Sequence, residues 1–250
     1  MSASSDTPVI ATEQLAARVA ATRGILADAV ARHGNGRADD QASLVMASSL
    51  GAEDMVLTDL IFRERLPIRI FTLDTGRLHE QTLRVLARTR ETYGQDVRVY
   101  FPAAEDVEAL VAAQGVNGFY ESVDARKACC RARKVLPLQR ALRGRQAWIT
   151  GLRRDQSPTR AELRAEGWDA DHGIAKWSPL ADWSEAEVWA YLRTHKVPYN
   201  ALHDQGFLSI GCAPCTRAVQ PGEDARAGRW WWEHPETKEC GLHVAGAADA

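Results

Sequence analysis

The sequence predicts an α/β protein: a mostly parallel sheet flanked by helices, followed by a loop-rich C-terminal extension. Three observations carry that prediction. Short apolar runs alternate with segments of helical periodicity from residue 12 to about residue 150, the pattern of strands joined by crossover helices. After residue 196 the alternation gives way to Gly, Pro and Trp. A chain of 250 residues, 45% apolar and 26% charged, suffices for one large domain or two small ones.

Leu15, Val19, Leu26 and Val30 recur at helical spacing and predict an amphipathic helix over 12–32, ended by Gly34-Asn35-Gly36. Residues 43–47 are a short apolar run that reads as a buried strand, and 48–51 turn the chain into a helix over 53–65. A second strand over 68–72 leads to a helix over 78–92, and a third over 97–100 to a short helix over 107–114. Residues 146–150 supply a fourth strand. Beyond about residue 160 the periodicity weakens, except that Ser184 and Glu187 spell a capping box at the head of a helix reaching Thr194.

The net charge of −2 provides no global field for nucleic acid or a membrane surface. Residues 1–8 are polar, without the apolar run of a signal peptide, and no stretch has the length of a membrane span. The expectation is a cytoplasmic protein with reduced thiols, where an odd count of five cysteines argues against a disulfide framework.

Those cysteines are organised. Cys129-Cys130 and Cys212-Ala213-Pro214-Cys215 form two close pairs, enough thiolates for an iron–sulfur cluster or a metal ion. Zinc sites favour pairs separated by two to four residues, so adjacent cysteines fit zinc poorly, although they are unusual for a cluster as well. Arg126, Lys127, Arg131, Arg133 and Lys134 surround the first pair, and Arg217, Arg226 and Arg229 follow the second. Cations so placed stabilise thiolates and attract anionic substrates, while the plain alternative is an exposed helix face. Cys240 is left over in Glu239-Cys240-Gly241-Leu242-His243, an unpaired thiol near a histidine and so a candidate nucleophile.

Three polar turns follow three predicted strands on one sheet edge, where such sheets bind ligands. Ser48-Ser49-Leu50-Gly51-Ala52-Glu53-Asp54 opens a helix, whose free backbone N–H groups can hold an anion, though it is not a Walker A loop. In Leu73-Asp74-Thr75-Gly76-Arg77, Asp74 can accept from ribose hydroxyls or simply cap the next helix. Arg153 and Arg154 are phosphate ligands or a solvated pair. The three turns together favour a nucleotide site. The chain thus divides into an N-terminal tail and helix (1–40), a nucleotide-binding α/β domain (41–195) and a C-terminal extension with the second cysteine pair and a mobile catalytic tail (196–250).

In order along the chain, these motifs resemble those of assimilatory adenylyl-sulfate (APS) reductases, of the bacterial kind that carries a [4Fe–4S] cluster. Lys127-Ala128-Cys129-Cys130-Arg131-Ala132-Arg133-Lys134, Thr150-Gly151-Leu152-Arg153-Arg154-Asp155-Gln156-Ser157 and Gly228-Arg229-Trp230-Trp231-Trp232-Glu233 add to the resemblance, which spans roughly residues 45–243. It implies an adenine nucleotide alpha-hydrolase-like fold and one [4Fe–4S] cluster on Cys129, Cys130, Cys212 and Cys215. It implies Cys240 as nucleophile, with Lys134, His243, Arg226 and Arg229 near the phosphosulfate. The AMP part would lie over Ser48, Ser49 and Gly51 and over Leu73, Asp74, Thr75 and Gly76, with Arg153 and Arg154 on phosphate. Leu50 departs from the family, which often has Phe there. Reductases of 3′-phospho-APS (PAPS) typically lack both cysteine pairs, so the resemblance implies APS as substrate. It also implies sulfite and AMP as products, a thioredoxin-type dithiol as reductant and a cysteine S-sulfo intermediate. A homo-oligomer is expected, with no nucleic-acid or membrane partner. Trp230-Trp231-Trp232 reads as packing for the extension, with partner docking as the alternative.

Overall fold

The computed structural model describes residues 12–156, 160–224 and 226–234. One six-stranded sheet organises them, in the order β3-β2-β1-β4-β6-β5. Strands β1 (Leu44–Ala47), β2 (Arg69–Leu73), β3 (Arg98–Tyr100), β4 (Ala147–Ile149) and β6 (Ile174–Trp177) run parallel, and β5 (Glu166–Asp169) closes one edge antiparallel to β6. Among the described residues no helix is long and apolar enough to cross a membrane.

The two faces of the sheet follow from the two-residue period of a strand. Leu44 and Met46 of β1, Ile70 of β2, and Ala147 and Ile149 of β4 pack into a larger apolar cluster. On that side lie α1 (Thr12–His33), α2 (Ala52–Arg63), α3 (Glu80–Tyr93) and α7 (Glu185–Thr194). Val45, Phe71 and Trp148 occupy the alternate positions and meet Leu138, Ala141 and Leu142 of α6 (Leu136–Leu142). Helix α2 is the hub: ten of its twelve residues are buried.

The expected strand–helix alternation is present, with ends shifted by a few residues, and α4 (Ala104–Gln114) starts earlier than its apolar pattern. The capping box forms, Ser184 N donating to Glu187 Oε2 at 2.7 Å and Glu187 N to Ser184 Oγ at 3.2 Å. Glu187 also accepts from Gln14 and Arg18, so the cap clamps α1 onto α7.

Two features depart from expectation. The β5–β6 hairpin lies where periodicity fails, because β5 is an edge strand with Trp168 67% exposed and little apolar content. Gly173, at φ +64°, makes the left-handed turn that reverses it. The second feature is a π-helical turn, Arg131–Val135, which joins α5 (Val123–Cys130) to α6 in one helical run directly after the cysteine pair.

Candidate active site

The turns after β1, β2 and β4 meet at one end of the sheet around a cavity of about 380 Å³. Ser48, Ser49, Gly51, Leu73, Thr75 and Arg153 line it from the sheet side, and Lys134, Cys212, Arg226, Arg229 and Trp230 from the other. This is the ligand position expected of a parallel α/β sheet.

The first turn is built around a buried carboxylate. Ser49 donates to Asp54 Oδ2 from its backbone N and from Oγ, both at 2.6 Å. Leu50 N donates to Ser48 Oγ and Gly51 N to Ser49 Oγ. The amides of residues 49–51, expected to be free for an anion, are therefore engaged within the turn. Gly151 passes so close that a Cβ there would stand 2.3 Å from Asp54 Oδ1. Only glycine lets the β4 turn pack on the β1 turn. Leu50, at φ +62° and 1% exposed, packs into the larger apolar cluster and does not line the cavity, so its departure from the family pattern falls on packing.

Burial pushes the Asp54 carboxyl up from 3.8 to about 6, against the pull of the Ser49 hydrogen bonds. The folded chain thus holds this proton to about pH 6, whereas the unfolded chain releases it near 3.8. The folded state binds more protons across that window, so the contribution to stability falls as pH rises from 4 to 6 and is lost above it. Asp54→Asn cannot ionise. Urea unfolding at pH 4 and pH 7 is expected to show the variant gaining on the unaltered chain by on the order of 3 kcal/mol as pH rises. A difference between the two proteins that does not change with pH would contradict this.

The second turn serves the cysteines as much as the cavity. Asp74 Oδ1 accepts from Gly76 N at 2.8 Å, a local turn bond, and neither Asp74 nor Gly76, both expected beside the nucleotide, is among the residues that line the cavity. Thr75 is 1% exposed, with Oγ1 3.2 Å from Cys212 Sγ, and Arg133 Nη1 donates to Thr75 O at 2.7 Å. Leu78 bridges Cys212, and Ala213 N donates to Arg77 O at 2.8 Å, so the second cysteine pair hangs on this turn.

In the third turn, Arg153 lines the cavity with its charge compensated by Glu53 at 2.9 Å and Asp155 at 3.4 Å. Arg154, expected on phosphate, turns away, donating to Leu163 O and pairing with Asp182, and does not line the cavity. Adjacent turn residues diverge, so only one of the two arginines reaches the cavity.

The cysteines come together. Cys129, Cys130, Cys212 and Cys215 form no disulfide and line one cavity of about 20 Å³ with Arg77, Phe119, Arg126, Arg133, Lys134 and Trp230. Burial, with the neighbouring sulfurs, pushes the Cys215 thiol up to about 12, and Lys134 pulls it down. Burial likewise raises Cys129, against Arg133 and Lys134. Among the described residues no three His, Cys, Asp or Glu side chains gather about a single ion position. Of the cations expected around this pair, Lys127 and Arg131 are exposed, whereas Arg126 is 1% exposed.

Lys134, Cys212 and Trp230 line both cavities and form the wall between them. Trp230 holds a left-handed φ of +40° while 1% exposed, a strained backbone for a bulky residue. Its indole N–H is buried without an acceptor among the described residues. Arg229 lies 4.5 Å from the ring centre and donates to Ser209 Oγ at 3.3 Å, and a Cβ on Gly211 would stand 2.7 Å from its guanidinium. Phe119 and Tyr120 flank Trp232, which supports the packing reading of that triplet, while Trp231 is 40% exposed. Cys240 and His243 lie outside the described residues.

Sequence reasoning missed Glu53, Gln156, His203 and residues 208–211 in the cavity wall, as well as the partner of Arg126. Gly211 beside Cys212 was the one signal in the sequence, a glycine where a guanidinium must lie against backbone.

The sequence model of one family, described as phosphoadenosine phosphosulfate reductase domain, matches residues 43–218. An adenosine 5′-phosphosulfate reductase of Allochromatium vinosum is 63% identical over 201 residues, 80% of this chain and 78% of that protein. One of Burkholderia cepacia is 53% identical over 241 residues, 96% of this chain and 93% of the other. Among solved structures, a phosphoadenylyl-sulfate (PAPS) reductase from Candida auris, in a phosphate complex, superposes with a TM-score of 0.65 at 26% identity, covering 84% of this chain and 98% of that one. Yeast FAD synthetase in complex with FAD matches at TM-score 0.52 and 16% identity over 85% and 71% of the two chains, a likeness of fold alone.

Proposed function

Because this chain belongs to the phosphoadenosine phosphosulfate reductase family, we propose that it reduces adenosine 5′-phosphosulfate to sulfite and AMP with electrons from a thioredoxin-type dithiol, in the cytoplasm and in assimilatory sulfate reduction. The observation that carries the reading is the shared wall: Lys134, Cys212 and Trp230 border both the cavity at the sheet edge and the cavity ringed by cysteines. The names of the relatives favour APS over its 3′-phosphorylated form.

In this proposal the nucleotide occupies the sheet-edge cavity beside Ser48, Ser49, Gly51, Leu73 and Thr75, with its sulfate end toward Lys134, Arg226 and Arg229. The Cys240 thiolate attacks the sulfate sulfur, the S–O bond to AMP breaks, and AMP leaves with the electron pair. Cys240 then carries an S-sulfo group. A thiolate of the reductant attacks Cys240 Sγ and expels sulfite, and its second thiol resolves the mixed disulfide, so the dithiol supplies both electrons. An anionic nucleophile meets an anionic sulfate, and fixed cations offset that repulsion, the role given to Lys134, Arg226 and Arg229, with His243 three residues after the thiol in sequence.

Four thiols around one cavity, two buried and two half-buried, fit a group held only by sulfur, and the N–H of Trp230 in the same lining, without an acceptor among the described residues, offers a donor to it. We assign that group as one [4Fe–4S] cluster on Cys129, Cys130, Cys212 and Cys215. When bound it supplies a fixed charge near the sulfate and ties the helix ending at Cys130 to the loop around Cys215.

The test is sulfite release from APS and PAPS, side by side, by anaerobically purified protein with reduced thioredoxin. Selective release from APS supports the proposal. Preference for PAPS overturns the substrate, and no sulfite from either overturns the activity. Lys134→Ala is expected to lower kcat/KM for APS by about 100-fold, the scale of losing one charge-stabilising group, with thermal stability unchanged. Turnover equal to that of the unaltered chain would make Lys134 a bystander.

A further inference from the structure

Arg126 and Glu233 form a buried ion pair with side-chain exposures of 1% and 4%. It is bidentate: Arg126 Nε donates to Glu233 Oε1 at 2.9 Å and Nη2 to Oε2 at 2.8 Å. Withdrawing two charges from water is costly, and a hydrophobic pair of similar volume is often no less stable. A pair retained in such a place invites a role beyond stability. Its surroundings supply one. The Arg126 guanidinium lines the cysteine cavity and donates a hydrogen bond to Cys130, and it lies 4.6 Å from the centre of the Trp230 ring. Arg229, which lines the sheet-edge cavity, stacks on that same ring at 4.5 Å. The guanidinium is suited to this: its planar fork serves a carboxylate bidentately, leaves further N–H groups for sulfur, and presents a flat face to an aromatic ring.

We propose that Arg126 is a positioning residue which, held by Glu233, aims the sulfur of Cys130 at the cysteine cavity and sets Trp230, and through it Arg229, at the substrate cavity. One buried cation then orders both compartments. It also fixes the point from which the segment carrying Cys240 departs, because Glu233 precedes Cys240 by seven residues. The proposal rests on the reading that the four cysteines share one bound group.

The experiment compares the unaltered chain, Arg126→Lys, and the double variant Arg126→Met with Glu233→Leu. Removing Arg126 alone would strand a buried carboxylate, whereas the double change removes both charges together and keeps volume. Lysine keeps the charge but cannot serve Glu233, Cys130 and Trp230 at once. Three readouts are taken on anaerobically purified protein: iron and acid-labile sulfide per chain, the rate of iron loss to a chelator, and AMP affinity by calorimetry. In both variants iron loss is expected to be about 10- to 100-fold faster, the usual scale for groups that orient metal ligands. AMP binding is expected to weaken by about tenfold, or ~1.4 kcal/mol. Iron loss and AMP affinity equal to those of the unaltered chain would overturn the proposal. If the double variant does not fold, the lysine variant decides by the same criteria. An unaltered chain without iron would overturn the cysteine reading first, and this proposal with it.

Discussion

Cys240→Ser is expected to lower sulfite release from APS by roughly 10⁴-fold or more, the scale on which enzymes lose rate when a covalent nucleophile is removed. Both half-reactions fail. A serine hydroxyl is not ionised near neutral pH, whereas a thiol with an ordinary pKa near 8.5 already has a thiolate fraction, and that fraction is the nucleophile. Were serine to accept the sulfate group, the product would be a sulfate ester. It would have no sulfur–sulfur bond for the reductant to attack, and dithiols reduce by attack at sulfur. Iron content and AMP affinity should be unchanged, because Cys240 is none of the four proposed cluster ligands and the proposed AMP contacts come from other residues. Radiolabelled APS under single turnover separates the steps: the unaltered chain should hold a label that a dithiol releases, and the variant none. Steady-state sulfite from the variant would end the assignment of Cys240.

Cys212→Ser is expected to reduce iron from about four per chain to a trace and to remove activity with it, while the sheet remains folded. Cys212 is 8% exposed, borders both cavities and touches Thr75, so its loss strikes the wall itself. Serine is a hard donor with a shorter reach and does not form the soft anion that iron–sulfur sites require. The sheet should survive because both apolar clusters lie away from this loop. Far-UV circular dichroism should therefore match that of the unaltered chain while visible absorption is lost. Unchanged iron would show that Cys212 is not a ligand. Zinc in place of iron in the unaltered chain would keep the ligand set and replace the group it holds.

Strands β1, β2 and β4 were legible because buried parallel strands are nearly continuous apolar runs, and a run such as residues 43–47 has few other uses. The β5–β6 hairpin was not, because Glu166, Gly167 and Trp168 face solvent at a sheet edge and their alternation is too short to register. The joint presence of the cysteine pairs and three polar turns was readable from spacing. Which side chain in a turn faces the cavity was not. Arg153 and Arg154 are equivalent in sequence, and backbone geometry sends one to Glu53 and the other to Asp182. The turn bond that Asp74 accepts was not legible either, because a free carboxylate and one engaged by its own turn read alike in sequence. The Arg126–Glu233 pair spans 107 positions, so no local pattern announces it.

The π-helical turn at Arg131–Val135 has a consequence for how chains of this fold diverge. Such a turn holds one residue more than an α-helical turn, so a helix that deleted one residue there would become more regular. The deletion would also rotate the N-terminal part of the helical run by about 100° relative to the C-terminal part. Leu138, Ala141 and Leu142 are anchored on the sheet, so the rotation would fall on Cys129 and Cys130 and swing them off their cavity. A lineage that needs both thiols must keep the extra residue, and one that has lost them is free to discard it. Across aligned sequences, the length of the segment between Ser122 and Arg143 should therefore vary together with the presence of the two cysteine pairs, as an insertion retained only where it is used.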